Sequence, residues 1–161
     1  MNIIRQVASS MVKFKYMKRI IIYFCIAFGI SLADTVYHIP IEGTIDLGLP
    51  PFIERSIAEA EENNAKTIIF EVNTFGGRVD AATQIKDAIL DSKVPTVAFI
   101  NKRAISAGAL ISLSCEKVFM AGGATIGATT AVDMQGNKAS EKVISYMREE
   151  MAATAEKLSL I

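Results

Sequence analysis

The chain has 161 residues, 51% of them apolar, which is enough for one domain with a sizeable core. Its formal charge is zero, yet five of its seventeen bases (Arg5, Lys13, Lys15, Lys18 and Arg19) lie in the first 33 residues, which hold no acid. Residues 34–161 therefore set twelve bases against seventeen acids, and a mildly acidic body gives no electrostatic reason to bind nucleic acid.

The N-terminus reads as an export signal. Lys18-Arg19 precede thirteen uncharged residues, 20–32, and Ser31-Leu32-Ala33 has the small-x-small pattern of a cleavage site. Thirteen residues are short for a membrane-spanning helix, which needs about 17–25. Met17 is a second candidate start, and an uncleaved membrane anchor is the alternative to a cleaved signal. Residues 1–33 are thus set apart as an extension, and residues 34–161 as the folded domain, placed on the extracytoplasmic side. Cys25 falls in the signal, so Cys115 stands alone and is expected to be a small buried residue rather than half of a disulfide.

Short apolar runs then alternate with helical periods. "TVYHIPI" (35–41) predicts a strand, and Pro50-Pro51 open a helix to about residue 64. "KTIIFEV" (66–72) predicts a buried strand, followed by "NTFGGRVD" as a loop and a helix over 79–91. "VPTVAFIN" (94–101) is the third strand, residues 106–114 a short helix, and "KVFM" (117–120) a fourth strand. Residues 123–132 read as a loop with one more short strand, and 139–158 as a long helix. This alternation predicts an α/β fold with a mainly parallel sheet built from βαβ units. Ligands of such sheets lie beyond the carboxyl ends of the strands, where both "NTFGG" and "KRAISAG" fall.

Ser106 has two readings: a small residue that packs or caps a helix, or a nucleophile at a strand end. Gly76-Gly77 and the N–H of Ala107 can supply an oxyanion hole, since glycine leaves a carbonyl's approach unobstructed and a helix start carries a favourable dipole. The base is harder to find. His38 is the single histidine and lies far from these strand ends, so a Ser-His-Asp triad is poorly supported. A lysine in a dry site can serve instead. Lys138 and Lys142 open the last helix, but Lys142 lies off its apolar stripe, as a solvated lysine would. These residues alone favour the packing reading. One histidine and one mature cysteine make no metal site, and no phosphate loop or other cofactor motif is present.

Three stretches in order, "EVNTFGGRVDAATQIKDAI", "PTVAFINKRAISAGALISLSCEKVFMAGGATIGATTAV" and "KVISYMREEMAATAE", resemble the NfeD-type membrane-bound serine proteases of the Clp protease and signal-peptide-peptidase superfamily. The resemblance runs over about residues 35–158 and implies a ClpP/crotonase-like fold and a Ser-Lys dyad that cleaves membrane-associated proteins. It puts Ser106 at the nucleophile position, Lys142 at the general base, and Gly76, Gly77 and Ala107 at the oxyanion hole. It also makes Thr125, Ile126, Gly127 and Ala128 the strip that holds the substrate. Thr129-Thr130 stand where the related Clp protease has a histidine, in keeping with a dyad. The implied partners are a protein or peptide substrate, stomatin-like membrane proteins among them, and further copies of the chain in a homodimer or larger assembly. The family's usual Thr-Pro-Gly-Gly is here Thr74-Phe75-Gly76-Gly77. Its members continue past the position of Ile161 into further protease elements, membrane helices and a small β-barrel, so this domain is expected to be incomplete at its C-terminal end. A non-catalytic interaction module is the alternative function. An acyl-thioester enzyme of the crotonase type is a third reading, which an exported chain without a coenzyme A pocket disfavours.

Overall fold

The computed structural model describes residues 16–19, 34–127 and 138–159. The chain divides into two units, residues 1–33 and 34–161. Of the first unit only a helical turn at 16–19 is described, so the apolar run 20–32, its cleavage site and Cys25 lie outside the described residues. Among the described residues no helix is long and apolar enough to cross a membrane.

The second unit is a parallel sheet with helices between its strands. In chain order it consists of β1 (Val36–Ile45), α1 (Leu49–Glu62), β2 (Thr67–Gly77), α2 (Val79–Leu90), β3 (Thr96–Ile105), α3 (Ala107–Ser114), β4 (Lys117–Met120), β5 (Thr125–Gly127) and α4 (Glu141–Ser159). The strands lie in the order β1-β2-β3-β4, and β5 pairs with β3 beyond the end of β4. Every pairing among these strands is parallel. Side chains alternate across a strand, so Ile39 and Ile41, then Ile68, Phe70 and Val72, then Ala98 and Ile100 turn to one face. There they pack with Ile53 and Ile57 of α1, Ile85 and Ile89 of α2, and Leu110 and Ile111 of α3. Each fully buried large side chain in this layer stabilises by about 1.5–3 kcal/mol relative to exposure. On the opposite face His38 pairs with Glu71 at 2.7 Å, and Asn101 donates to the other Glu71 oxygen at 2.7 Å. The single histidine thus has a partner across the sheet, well away from Ser106 in the strand order.

The strands run further than their apolar cores predict. "NTFGG" is the last part of β2 and not a loop, with Gly77 in register with Ile45. β1 reaches that register through an irregularity at Gly43, whose φ of +72° suits glycine. β3 likewise continues through Lys102 and Arg103 to Ile105. The effect is to bring the ends of β2 and β3 side by side, with Thr74 opposite Ala104.

Cys115 is buried and unpaired, and burial pushes its thiol up to about 12. A thiol that ionises near 9 when unfolded then costs the fold stability as pH rises from about 9 toward 12, while below 9 the shift has no effect. Site-resolved mass spectrometry after alkylation at pH 8 should find Cys115 protected in the folded chain and modified only in denaturant. Rapid modification of the native chain would show that this core is open.

Candidate active site

The site begins with a strained residue. Ser106 links the end of β3 to α3 with φ +55° and ψ −114°, one of two described non-glycine residues with positive φ. Such a conformation costs about 1–3 kcal/mol and persists only when its surroundings fix it. Here the Ser106 N–H donates to the Gly127 carbonyl at 2.8 Å, and the Ser106 carbonyl accepts from Ala109 at 2.9 Å and Leu110 at 3.2 Å. The first of these bonds ties the serine to β5 and the others tie it to α3. The side chain is left half-buried, and its hydroxyl makes no hydrogen bond to any described residue. Ala107 is the first residue of α3, where no helical carbonyl is available to its N–H. Serine and N–H therefore stand together at the carboxyl end of a central strand.

The neighbouring strand end presses against them. A Cβ on Gly76 would fall 2.9 Å from the Ile105 carbonyl oxygen, 3.0 Å from Ser106 Cβ and 3.3 Å from the Ala107 nitrogen. Gly76 also has φ +106°. Only a residue without a side chain fits here. Gly77 is confined from the other side, since its Cβ would lie 2.1 Å from the Ile45 carbonyl oxygen. Thr74 holds this arrangement. It is 1% exposed, and its hydroxyl donates to the Gly43 carbonyl and accepts from the Gly76 N–H at 2.9 Å. Its methyl fills the space that a side chain on Gly108 would occupy, 2.5 Å from the ideal Cβ. One threonine thereby joins the β1 bend, the glycine pair and α3. It also uses the Gly76 N–H, so among the three proposed oxyanion positions Gly76 contributes close approach rather than a donor.

Lys142 stands in the first turns of α4, exposed, and among the described residues it has no ion pair and no hydrogen bond to Ser106. Contacts one and two turns further on place this helix. Thr83 and Tyr146 hydroxyls lie 3.4 Å apart, and Lys86 of α2 bonds Glu150 at 2.6 Å. The paired numbers rise together, so α4 runs alongside α2 in the same direction. Lys142 then falls beside the start of α2. There it lines a cleft of about 860 Å³ with Arg78, Val79, Thr83 and Tyr146. Arg78 grips Asp80 through two bonds of 3.0 and 2.7 Å, which hold the Asp80 carboxyl below the usual carboxylate range. Lys86 is only 13% exposed in its side chain. Burial pulls its ammonium down, but bonds to Glu150 and Asp87 outweigh that and leave it raised. Lys138, the other lysine near this helix start, is taken by Glu141 at 2.7 Å.

Thr125, Ile126 and Gly127 form β5, an exposed three-residue strand in register with Arg103, Ala104 and Ile105. Ala128, Thr129 and Thr130 lie outside the described residues. Ser106, Ala107, Gly76 and β5 are thus brought together, while Lys142 lines a cleft with Val79 whose described lining includes none of them. Thr74 and the Lys86–Glu150 pair were not among the predicted site residues.

The NfeD1b N-terminal domain model matches residues 35–159. The chain belongs to the NfeD1b family through this domain. It is 43% identical over 124 residues to the membrane protein NfeD1b of Bacillus subtilis, covering 77% of this chain and 28% of that protein. It is 36% identical over 111 residues to the membrane-bound protease PH1510 of Pyrococcus horikoshii, covering 67% and 25%. The chain therefore spans about a quarter of the length of these curated relatives. Among solved structures, a serine-to-alanine variant of the 1510-N membrane-bound stomatin-specific protease superposes with a TM-score of 0.71 at 32% identity, covering 78% of this chain and 65% of that one. ClpP1 of Listeria monocytogenes shares the fold, with a TM-score of 0.62 at 24% identity over 74% of this chain and 71% of that one. The family and the parallel βαβ architecture agree with the expectation from sequence.

Two variants check the geometry. Gly76→Ala should destabilise the domain by about 1–3 kcal/mol in thermal or denaturant unfolding, since a positive φ and a crowded Cβ act together. An unchanged midpoint would contradict the close approach. Lys86→Glu should loosen α4 from α2, with faster amide exchange in α4, and the added change Glu150→Lys should restore protection. Identical exchange in all three chains would rule out the pair as a tie.

Proposed function

We propose that this domain is an extracytoplasmic serine endopeptidase whose Ser106–Lys142 dyad cleaves membrane-associated proteins or peptides. The observation that carries the reading is Ser106 itself: a strained, half-buried serine whose hydroxyl bonds no described residue, set against Gly76 and the Ala107 N–H at the end of a central strand. Strain of this kind gathers at functional sites, and a packing serine has no need of it. The relatives' names point the same way, one a membrane-bound protease and one a stomatin-specific protease. A stomatin-like membrane protein is accordingly the proposed substrate, and a homodimer or larger assembly the proposed form.

In this mechanism a substrate segment lies along β5 and covers the cleft. Covering removes water from Lys142, which favours its neutral form. Neutral Lys142 accepts the proton of Ser106 as Oγ attacks the scissile carbonyl carbon. The tetrahedral oxyanion is held by the N–H groups of Gly77 and Ala107, each worth about 10²–10³ in rate in comparable sites. Protonated Lys142 returns its proton to the leaving amine, and water then attacks the acyl-serine by the same route in reverse.

One observation favours a second reading. Lys142 is exposed and makes no hydrogen bond with Ser106, as in a non-catalytic module that binds stomatin-like proteins. The two readings separate in a cleavage assay on the full chain with fluorogenic apolar peptides. The dyad predicts that Ser106→Ala and Lys142→Ala each lower kcat/KM by about 10³ or more, with unchanged melting curves. Turnover at the normal rate in either variant excludes the dyad. Equal binding of a stomatin-like protein by unmodified and Ser106→Ala chains, with cleavage by neither, would establish the module.

A further inference from the structure

Next to the serine stands a pair that neither the core nor the dyad uses. Phe75 lies between Thr74 and Gly76 and is 73% exposed, the largest exposure of any described large hydrophobic side chain. Its position on the open face of the sheet follows from alternation, since Thr74 points to the core. Arg103 of β3, on the same face, places its guanidinium over the Phe75 ring at 4.4 Å. Stacking of this kind uses the flat face of a guanidinium and leaves its N–H edge free. No carboxylate pairs with Arg103 among the described residues. Its β5 register partner is Thr125, which is exposed and uncharged.

An ordinary surface arginine gives up rotamer freedom when it takes a ligand, which cancels much of the gain. Arg103 is already held by the ring, so less is lost per bond formed. A peptide lying along β5 toward Ser106 passes this edge, and the group that fits it is a carboxylate, received through two parallel N–H bonds. The Phe75 ring keeps the fork in place and shields it from water on one side.

We propose that Arg103, stacked on Phe75, is a carboxylate-binding subsite for the peptide on β5. The carboxylate comes either from an Asp or Glu side chain or from the peptide's own C-terminus. The proposal rests on the peptidase reading for what occupies β5, but its test reads binding and not cleavage. The full chain bearing Ser106→Ala is titrated with fluorescein-labelled peptides of Val, Ala and Thr carrying one Glu at successive positions. Each peptide is matched by its Gln counterpart, and each is made with a free acid and with an amide end.

The expected result is a roughly tenfold tighter binding of the carboxylate form at one position or at the terminus. A Glu-over-Gln preference assigns the side chain, and an acid-over-amide preference assigns the C-terminus. Arg103→Gln should abolish the preference without weakening the neutral peptides, and Phe75→Ala should reduce it partway. Equal affinities throughout, a preference that survives Arg103→Gln, or no saturable binding of any peptide would each overturn the subsite. Cleavage by the unmodified chain together with equal binding of the Glu and Gln forms by the Ser106→Ala chain would overturn the subsite while sustaining the peptidase; the binding preference in Ser106→Ala together with no cleavage by the unmodified chain would do the reverse.

Discussion

The whole site depends on one close approach, that of the β2 end to the turn after β3. Backbone at Gly76 lies so near Ile105, Ser106 and Ala107 that a single methyl group would come within 3.3 Å of one atom of each, and within 2.9 Å of the Ile105 carbonyl oxygen. Two strand ends do not meet this way by default, because the backbone groups involved must all find partners. Thr74 meets that demand by bonding Gly43 on one side and the Gly76 N–H on the other. Ser106 meets it by bonding Gly127 and the first turn of α3. Ser106 holds its positive φ within these bonds, with its side chain half-buried rather than in the core.

The parallel sheet supplies the rest. Strands in the order β1-β2-β3 put two consecutive carboxyl ends next to each other, and β5 adds a third edge beside them. Helix α4 is then laid along α2 by contacts at Thr83–Tyr146 and Lys86–Glu150. Position 142 falls beside the start of α2 as a result of that direction, so a lysine far away in sequence shares a cleft with residues that directly follow the glycine pair. Substrate binding, in the proposed mechanism, closes what the free domain leaves open.

Much of this was legible in the sequence, though unevenly. The strand interiors were clear because β-branched runs such as "KTIIFEV" have few other uses. The strand ends were not. Residues 73–77 and 102–105 are polar, glycine-bearing or charged and read as loop, yet their backbone pairing continues because the neighbouring strand is there to receive it. Alternation did carry a signal that was missed: Ile68, Phe70 and Val72 point inward, and the same period puts Thr74 inward too, a polar residue in a core position that therefore needs partners. The pattern of α4 rightly placed Lys142 off the buried stripe. No spacing rule could have joined it to Ser106; that pairing came from the family's ordered motifs. The strain at Ser106 has no sequence signature either, since many serines precede short helices without it.

The most direct test of an activated serine is its reaction with a fluorophosphonate, read by mass spectrometry on the peptide containing residue 106. The structure's account predicts a single phosphonyl adduct on Ser106 in the folded full chain, absent after denaturation and absent from Lys142→Ala. An unmodified Ser106 in a folded chain, or modification that persists without Lys142, would contradict it.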